Sequence, residues 1–515
     1  MALYTPDRAR RSLFHTVSFR AIAQAATVLG YVVLVRGLSK QDFGIYSLLY
    51  AFIPLISTLA SLGLEQTLRR FQPEYLKAGH TAAAAWLVRI VATSRLAMNL
   101  AVLGIILLSW NFAAPLFKLT PYRTEFALFS ILLLLHFQVN ILQLTLASHM
   151  LHRFSVGATS VLSSGKLLMY AALLAFHATT LRNVIVADTL AYALAYACAK
   201  AAHLRYCGLP RGTPRFRPTA QERRRLFRYA FYNNFNDAGT LILSSQSDNF
   251  FIVAFLDPVA VGAYSFYVRL NEMASQLIPT RLFDNVVQPM FFAIPQDKAD
   301  ARIPRDFSLL LNANLLVHWP VLAFAVAYHA QIVTVIFGGK FIEYSWLLPL
   351  IAAFGMVNVI ANPVSLVAEY EERPGIILLS KVFAIYNVVA LLALLPLAGL
   401  YGAAIASGSA QTLKNFFIWW HVRRRAIWTN ARGALLSGLL VWGTAVAACC
   451  ALKAILDVPP LVQLIIGVAV CGAAALLYLR TPAISLTDRA LLAAVLGGRE
   501  AGMLRRLGLH MPIVK

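Results

Sequence analysis

RGLSKQDFGIYSLLYAFIPLISTLASLGLEQTLRRFQPEYLKAG occupies residues 36–79, and its two halves obey different rules. From Phe43 to Gly63 the chain runs 21 residues without a charge. That is the length an α-helix needs to cross the hydrocarbon of a bilayer. Pro54 lies inside it, a breaker that membrane helices tolerate where neighbouring helices or cavity water satisfy the freed backbone. Beyond Gly63, charges return at Glu65, Arg69, Arg70, Glu74 and Lys77. The helix has left the bilayer there, and the basic residues fix the side on which it leaves. Glu65, Arg69 and Arg70 set topology or, alternatively, gate a cavity mouth.

The rest of the chain repeats that unit. Of its 515 residues 59% are hydrophobic and only 13% charged, with a mean hydropathy of +0.67. A soluble domain carries about 25% charge, and half of that cannot cover a water-facing surface. A soluble multidomain protein is excluded, and the sequence reads as an all-α polytopic membrane protein. Fourteen spans fit the template of about 20 mostly apolar residues. They run over 14–35, 43–63, 84–110, 125–147, 155–177, 183–204, 229–256, 261–292, 307–329, 342–369, 374–396, 399–421, 434–455 and 460–479. Arg8, Arg10 and Arg11 precede the first run in the manner of a signal peptide, but that run leads directly into the second. It reads as an uncleaved transmembrane helix.

The net charge of +23 would point to nucleic acid in a soluble protein. Here the span map explains it. With the N-terminus in the cytoplasm, one side collects 32 of the 45 Lys and Arg, the other 6, and the spans 7. That is the positive-inside asymmetry, so both termini are expected in the cytoplasm and no nucleic-acid partner is expected. The five cysteines show neither a disulfide framework nor metal-ligand spacing, and no metal or cofactor is expected. GATSVLSSGKLL, around Lys166, lacks the Ser/Thr and the first Gly of a P-loop. Transport would then draw on an ion gradient, the membrane potential or downstream consumption of product.

The basic 200–228 loop divides the first six spans from the next six, and a weak repeat crosses it. FGIYSLLYAF at 43–52 matches VGAYSFYVRL at 261–270, shifted by 218 residues. Such duplication is the usual plan of an alternating-access transporter. The organisation expected is an N-terminal six-helix lobe over 1–210, a linker over 211–228 and a C-terminal six-helix lobe over 229–421. Two further helices and an amphipathic cytoplasmic tail fill 422–515.

The opening stretch, with its LSKQDFGIYS, the Gly-Leu near the end of the second span and RFQPEYLKAG after it, resembles the Wzx-type oligosaccharide flippases. These belong to the multidrug/oligosaccharidyl-lipid/polysaccharide exporter superfamily. VGAYSFYVRLNEM and GLYGAAIASGSAQ resemble that family's eighth and twelfth helices. The resemblance implies two six-helix bundles in pseudo-twofold arrangement around a central cavity, with two extra helices outside. It implies flipping of a polyprenyl-pyrophosphate-linked oligosaccharide across the bacterial cytoplasmic (inner) membrane, for polysaccharide polymerase machinery beyond. It also implies a transporter rather than an enzyme, with no catalytic residues.

Charges inside spans are costly and usually face a cavity or a partner. Arg95, Lys166 and Arg269 lie at comparable depth near the bilayer middle, and a pyrophosphate cavity needs fixed cations. One reading has these three line the cavity and bind the pyrophosphate. The other has a local carboxylate neutralise each, most plainly Glu272 for Arg269 three residues on. Glu272, Asp237 and Asp188 are candidates for ion coupling or charge pairing, Asp237 within the polar FYNNFNDAG of span seven. Tyr46, Tyr50, Tyr264 and Tyr267 either stack on sugars or pack the core.

Three competitors remain open. A cation-coupled drug exporter of the same superfamily would favour a carboxylate-rich cavity. A lipid-linked peptidoglycan precursor flippase would share fold and anionic substrate. A membrane-embedded glycosyltransferase or polymerase would present acidic outer loops. Against the last, the longest outer connection, near Asn111–Glu125, holds one acid.

Overall fold

The computed structural model describes residues 6–208, 216–276, 291 and 299–481. Every regular element among them is helical. Helix α1 spans Pro6–Gly37 and α2 Lys40–Ser61. The Ser39 hydroxyl caps α2 by accepting from the Asp42 amide at 2.9 Å, and Asp42 in the first turn suits the helix dipole. Leu62 and Gly63, with φ of 47° and 70°, then redirect the chain. The charged half of the opening stretch forms its own amphipathic helix, α3 (Leu64–Lys77), which packs Leu68, Phe71 and Leu76 on α4 (Thr81–Leu108). The short α5 (Trp110–Leu116) follows, then α6 (Arg123–Ser148), α7 (His152–Ala175) and α8 (Leu181–Tyr206).

Next come α9 (Ala220–Ile242), α10 (Ser245–Phe255), α11 (Pro258–Ser275) and α12 (Ala299–Phe337), the last kinked where Tyr328 leaves helical geometry. The remaining helices are α13 (Leu347–Val357), α14 (Ala361–Tyr370), α15 (Pro374–Leu379), α16 (Phe383–Val422), α17 (Ala431–Ile455) and α18 (Pro460–Arg480).

Among the described residues eleven segments are long and apolar enough to cross a membrane, against the fourteen expected along the whole chain. Three features make the difference. The expected span 229–256 is broken: α9 stops at Ile242, and Ser244, in extended geometry, restarts the chain as the 11-residue α10. The expected span 261–292 is described only as α11, 18 residues carrying Arg269 and Glu272; residues 277–290 lie outside the described set. Finally, 374–396 and 399–421 fall in one apolar run, Gly375–Val422.

That run is not one crossing. A straight 40-residue α16 would be about 60 Å long, twice the hydrocarbon thickness. Gly399 adopts φ 55° and ψ −135°, a conformation open to glycine, and the chain doubles back. A Cβ at Gly402 would lie 2.1 Å from the Leu394 carbonyl oxygen, so the two arms touch directly beside the turn. Ser407 donates to Asn387 at 3.2 Å, and the Tyr386 and Ser409 hydroxyls meet at 3.1 Å. Helix α16 is a tight antiparallel hairpin.

The polarity of the molecule is reversed from that of a water-soluble protein. Leu108, Leu168, Leu397 and Leu440 are exposed, while Arg95, Asp188, Asp248 and Asn387 are fully buried. Apolar groups face lipid and polar groups face each other, as a hydrocarbon solvent requires. The chain is a multi-pass membrane protein.

It divides into two compact units, Met1–Ser265 and Phe266–Lys515. The first holds α9 and α10 as well as α1–α8. A Cβ at Gly44 in α2 would clash at 1.9 Å with the Pro258 carbonyl, and Phe52 meets Phe250 edge-on at 5.0 Å. The second unit has a core of Phe307, Leu311, Val364, Val367 and Ile418, with a further cluster around Trp442 and Tyr478. The amphipathic tail and part of the basic linker (209–215) lie outside the described residues.

Candidate functional site

Asp188, on α8, is fully buried, and its carboxylate gathers donors from two neighbouring helices. The Tyr46 hydroxyl donates to it at 2.9 Å, and the Tyr50 and Tyr170 hydroxyls donate at closer range. Lys166 Nζ lies 3.2 Å from the same carboxylate and donates to the Tyr50 hydroxyl at 2.7 Å. Its ammonium also sits 5.1 Å from the Tyr50 ring centre and 4.8 Å from that of Tyr192. The network continues through Tyr192, whose hydroxyl is 3.0 Å from His136 Nδ1, and from His136 Nε2 to the Asn140 amide at 3.1 Å.

Local structure explains why these groups converge. Residues four apart share one helix face. Each of four helices contributes one such pair: Tyr46 and Tyr50 on α2, His136 and Asn140 on α6, Lys166 and Tyr170 on α7, Asp188 and Tyr192 on α8. A lone carboxylate in hydrocarbon would cost several kcal/mol. With one ammonium and three hydroxyl donors, Asp188 is a fully satisfied anion. Lys166 keeps about 18% of its side chain exposed, so it is the member of the pair within reach of another anion.

Arg95 lies elsewhere in the same unit. It is wholly buried, forked onto the Ser57 carbonyl at 2.8 Å and the Ser57 hydroxyl at 2.9 Å, and paired with Glu65 at 3.2 Å. Its guanidinium also stacks 4.4 Å from the Phe137 ring centre. It ties α4 to the end of α2 and the start of α3. Outside the spans, Tyr75 of α3 donates to Glu222 of α9 at 3.1 Å, and Arg225 reaches Glu74 at 3.0 Å. Burial, then the Glu222 carboxylate, push the Tyr75 phenol up to about 12, so it stays a neutral donor at any physiological pH.

Arg269, on α11 in the second unit, pairs with Glu272 at 3.0 Å with about half its side chain exposed. The structure therefore joins Lys166 to Asp188 and Arg269 to Glu272, and gives Arg95 its own partners in Glu65 and Ser57. Asp237 is half-buried on α9. The two repeated stretches share a habit: Tyr264 donates to the buried Asp248 at 2.7 Å, as Tyr46, 218 residues earlier, does to Asp188. Sequence reasoning passed over Tyr170, Tyr192, His136 and Asn140. The signal that could have found them is the i,i+4 spacing of polar and aromatic residues inside four apolar spans.

The sequence profile of a family described as polysaccharide biosynthesis protein matches residues 10–295, more than half the chain. No curated protein matches. Among solved structures, the lipid II flippase MurJ in an inward closed conformation superposes with a TM-score of 0.67 at 10% identity, over 90% of this chain and 99% of that one. The inward-facing conformation of a multidrug resistance MATE family transporter of the MOP superfamily gives 0.65 at 12% identity, over 80% and 98%. At such identities the likeness is one of fold.

Proposed function

The chain belongs to the polysaccharide biosynthesis protein family, and on that premise we propose that it is a flippase. Its cargo is a polyprenyl-pyrophosphate-linked oligosaccharide repeat, moved across the bacterial cytoplasmic membrane by alternating access for surface polysaccharide assembly. The observation that carries this reading is the family match, laid on a fold shared with the MurJ and MATE transporters. The reading includes fourteen crossings with both termini cytoplasmic. The α16 hairpin and the 32-to-6 division of Lys and Arg support it.

In this proposal Lys166 and Arg269 each contact the pyrophosphate in the course of transport, exchanging a carboxylate for phosphate oxygens. Both keep exposed side-chain surface and both hold a replaceable partner. Arg95 joins them only in a state that has released Glu65. Asp188 acts as the switch: its protonation, or a cation taking the place of the ammonium, loosens Lys166 from the carboxylate. The chemistry is charge exchange, without covalent steps.

The buried Asp188 in a fold shared with a MATE transporter also favours a second reading, a cation-coupled drug exporter. One deletion strain separates the two. Accumulation of a polyprenyl-linked oligosaccharide, with loss of one surface polysaccharide, supports the flippase and identifies the cargo. Normal surface glycan with new sensitivity to cationic drugs refutes it in favour of the exporter.

A further inference from the structure

A cavity of about 540 Å³ opens among α3, α4, α6 and α8, and none of the Asp188 network lines it. It starts where these helices end in the Lys- and Arg-rich connections and reaches inward as far as Gln138. Gln138 is eleven residues from His149, so the cavity is about 16 Å deep along α6. Its lining includes Arg89, Lys200, His149 and His203 and no Asp or Glu. Arg89 and Lys200 have no carboxylate partner among the described residues.

A second observation concerns Gln72. Its side chain is fully buried and lines the cavity, yet neither its amide oxygen nor its amide nitrogen has a hydrogen-bond partner. His203 Nδ1, also lining, is buried and unpartnered too. Buried polar groups without partners are rare and call for a ligand or ordered water. Two cations without a carboxylate partner, beside the orphaned Gln72 amide N–H, make a site for a doubly charged oxyanion. The rest of the wall is mainly apolar, with Leu76, Val88, Ile141 and Leu142 in it, and beside it Ile90 and Leu204 are exposed on the outer surface. A headgroup held inside would leave its hydrocarbon chains on that surface.

We propose that this cavity binds the phosphoryl headgroup of an anionic lipid from the leaflet on the Lys/Arg-rich side, held by Arg89 and Lys200. Basic pockets between helices on that side of a membrane suit such headgroups. The inference does not depend on the flippase reading, because a resident lipid would occupy the cavity whatever the protein carries.

The full-length protein, purified and delipidated, is titrated by native mass spectrometry with phosphatidylglycerol, a polyprenyl pyrophosphate, phosphatidylcholine and inorganic pyrophosphate. Both anionic lipids are expected to bind at least about tenfold more tightly than phosphatidylcholine. Arg89→Gln with Lys200→Gln should remove that preference, since each charge-assisted contact is worth about tenfold or more. Arg89→Lys with Lys200→Arg should retain it and shows that the site tolerates substitution, and Arg224→Gln, exposed and away from the cavity, should leave it intact.

A preference for the polyprenyl pyrophosphate identifies the source as the cargo lipid, and equal binding of the two identifies bulk anionic lipid; either supports the site. Anionic-lipid binding unchanged in the Gln double variant overturns the proposal. So does inorganic pyrophosphate binding as tightly as the lipids.

Discussion

Replacing Lys166 by Met removes the ammonium paired with a carboxylate buried from all solvent. At 3.2 Å and an effective dielectric of about 20, the attraction between the two charges is about 5 kcal/mol before desolvation is subtracted. Breaking one side of a buried pair typically costs about 3–5 kcal/mol. In Lys166→Met the carboxylate keeps three tyrosine donors, each such bond to a charge contributing about 1.5–3 kcal/mol, so the loss should fall near 3. Asp188→Asn should cost more, near 5 kcal/mol, because it strips a largely buried ammonium of its carboxylate. Lys166→Met with Asp188→Asn leaves no charge to strand, and should be no worse than Asp188→Asn alone. The coupling energy of the cycle is then at least about 3 kcal/mol, measured by equilibrium unfolding in mixed detergent. Single effects that add to within about 0.5 kcal/mol would refute the claim that the pair is one energetic unit.

Arg95→Lys should destabilise the protein, because a lysine cannot fork onto Ser57 and reach Glu65 together. Glu65→Gln should cost about 3–5 kcal/mol by leaving the buried guanidinium without its counter-charge; a melting temperature unchanged in both variants contradicts the geometry. Arg269→Gln breaks a half-exposed pair and should cost under about 1 kcal/mol, yet should lower flipping in proteoliposomes. Wild-type flipping in Arg269→Gln and Lys166→Gln alike would remove both from the cargo site. Gly399→Val forces a β-branched residue into a conformation reserved for glycine, at about 1–3 kcal/mol, and should reduce the folded yield on size-exclusion chromatography; an undiminished yield means the hairpin turns elsewhere.

Hydropathy made the membrane class legible, because lipid-facing residues such as Leu168 and Leu440 must be apolar whatever their helix does. It even drew a boundary at 396–399, where the chain turns on a single glycine. It missed the break at Leu243–Ser244, since one extended residue between two helices leaves the average unchanged. In the site, cost alone singled out Lys166 and Asp188, each expensive in hydrocarbon. That they pay for each other is a tertiary fact, invisible while the packing of α7 on α8 is unknown. Arg95 and Glu65 illustrate the same limit from two sides of a turn. The tyrosines were seen, but an aromatic residue in an apolar span signals packing as readily as hydrogen bonding, and only the carboxylate decides between them.

The turn at Gly399 also bears on how the chain enters the membrane. A loop is where a membrane protein normally stores the charges that tell each helix which way to face. Between the two arms of α16 there is no loop, and hence no room for such an instruction. What orients both arms lies at their distant ends: Arg373 before the first, Arg423, Arg424, Arg425 and Arg432 after the second. The pair therefore takes its direction as one object, anchored by both feet on the same side, and a charge added at the tip would have to be carried across the bilayer with nothing beside it to share the cost.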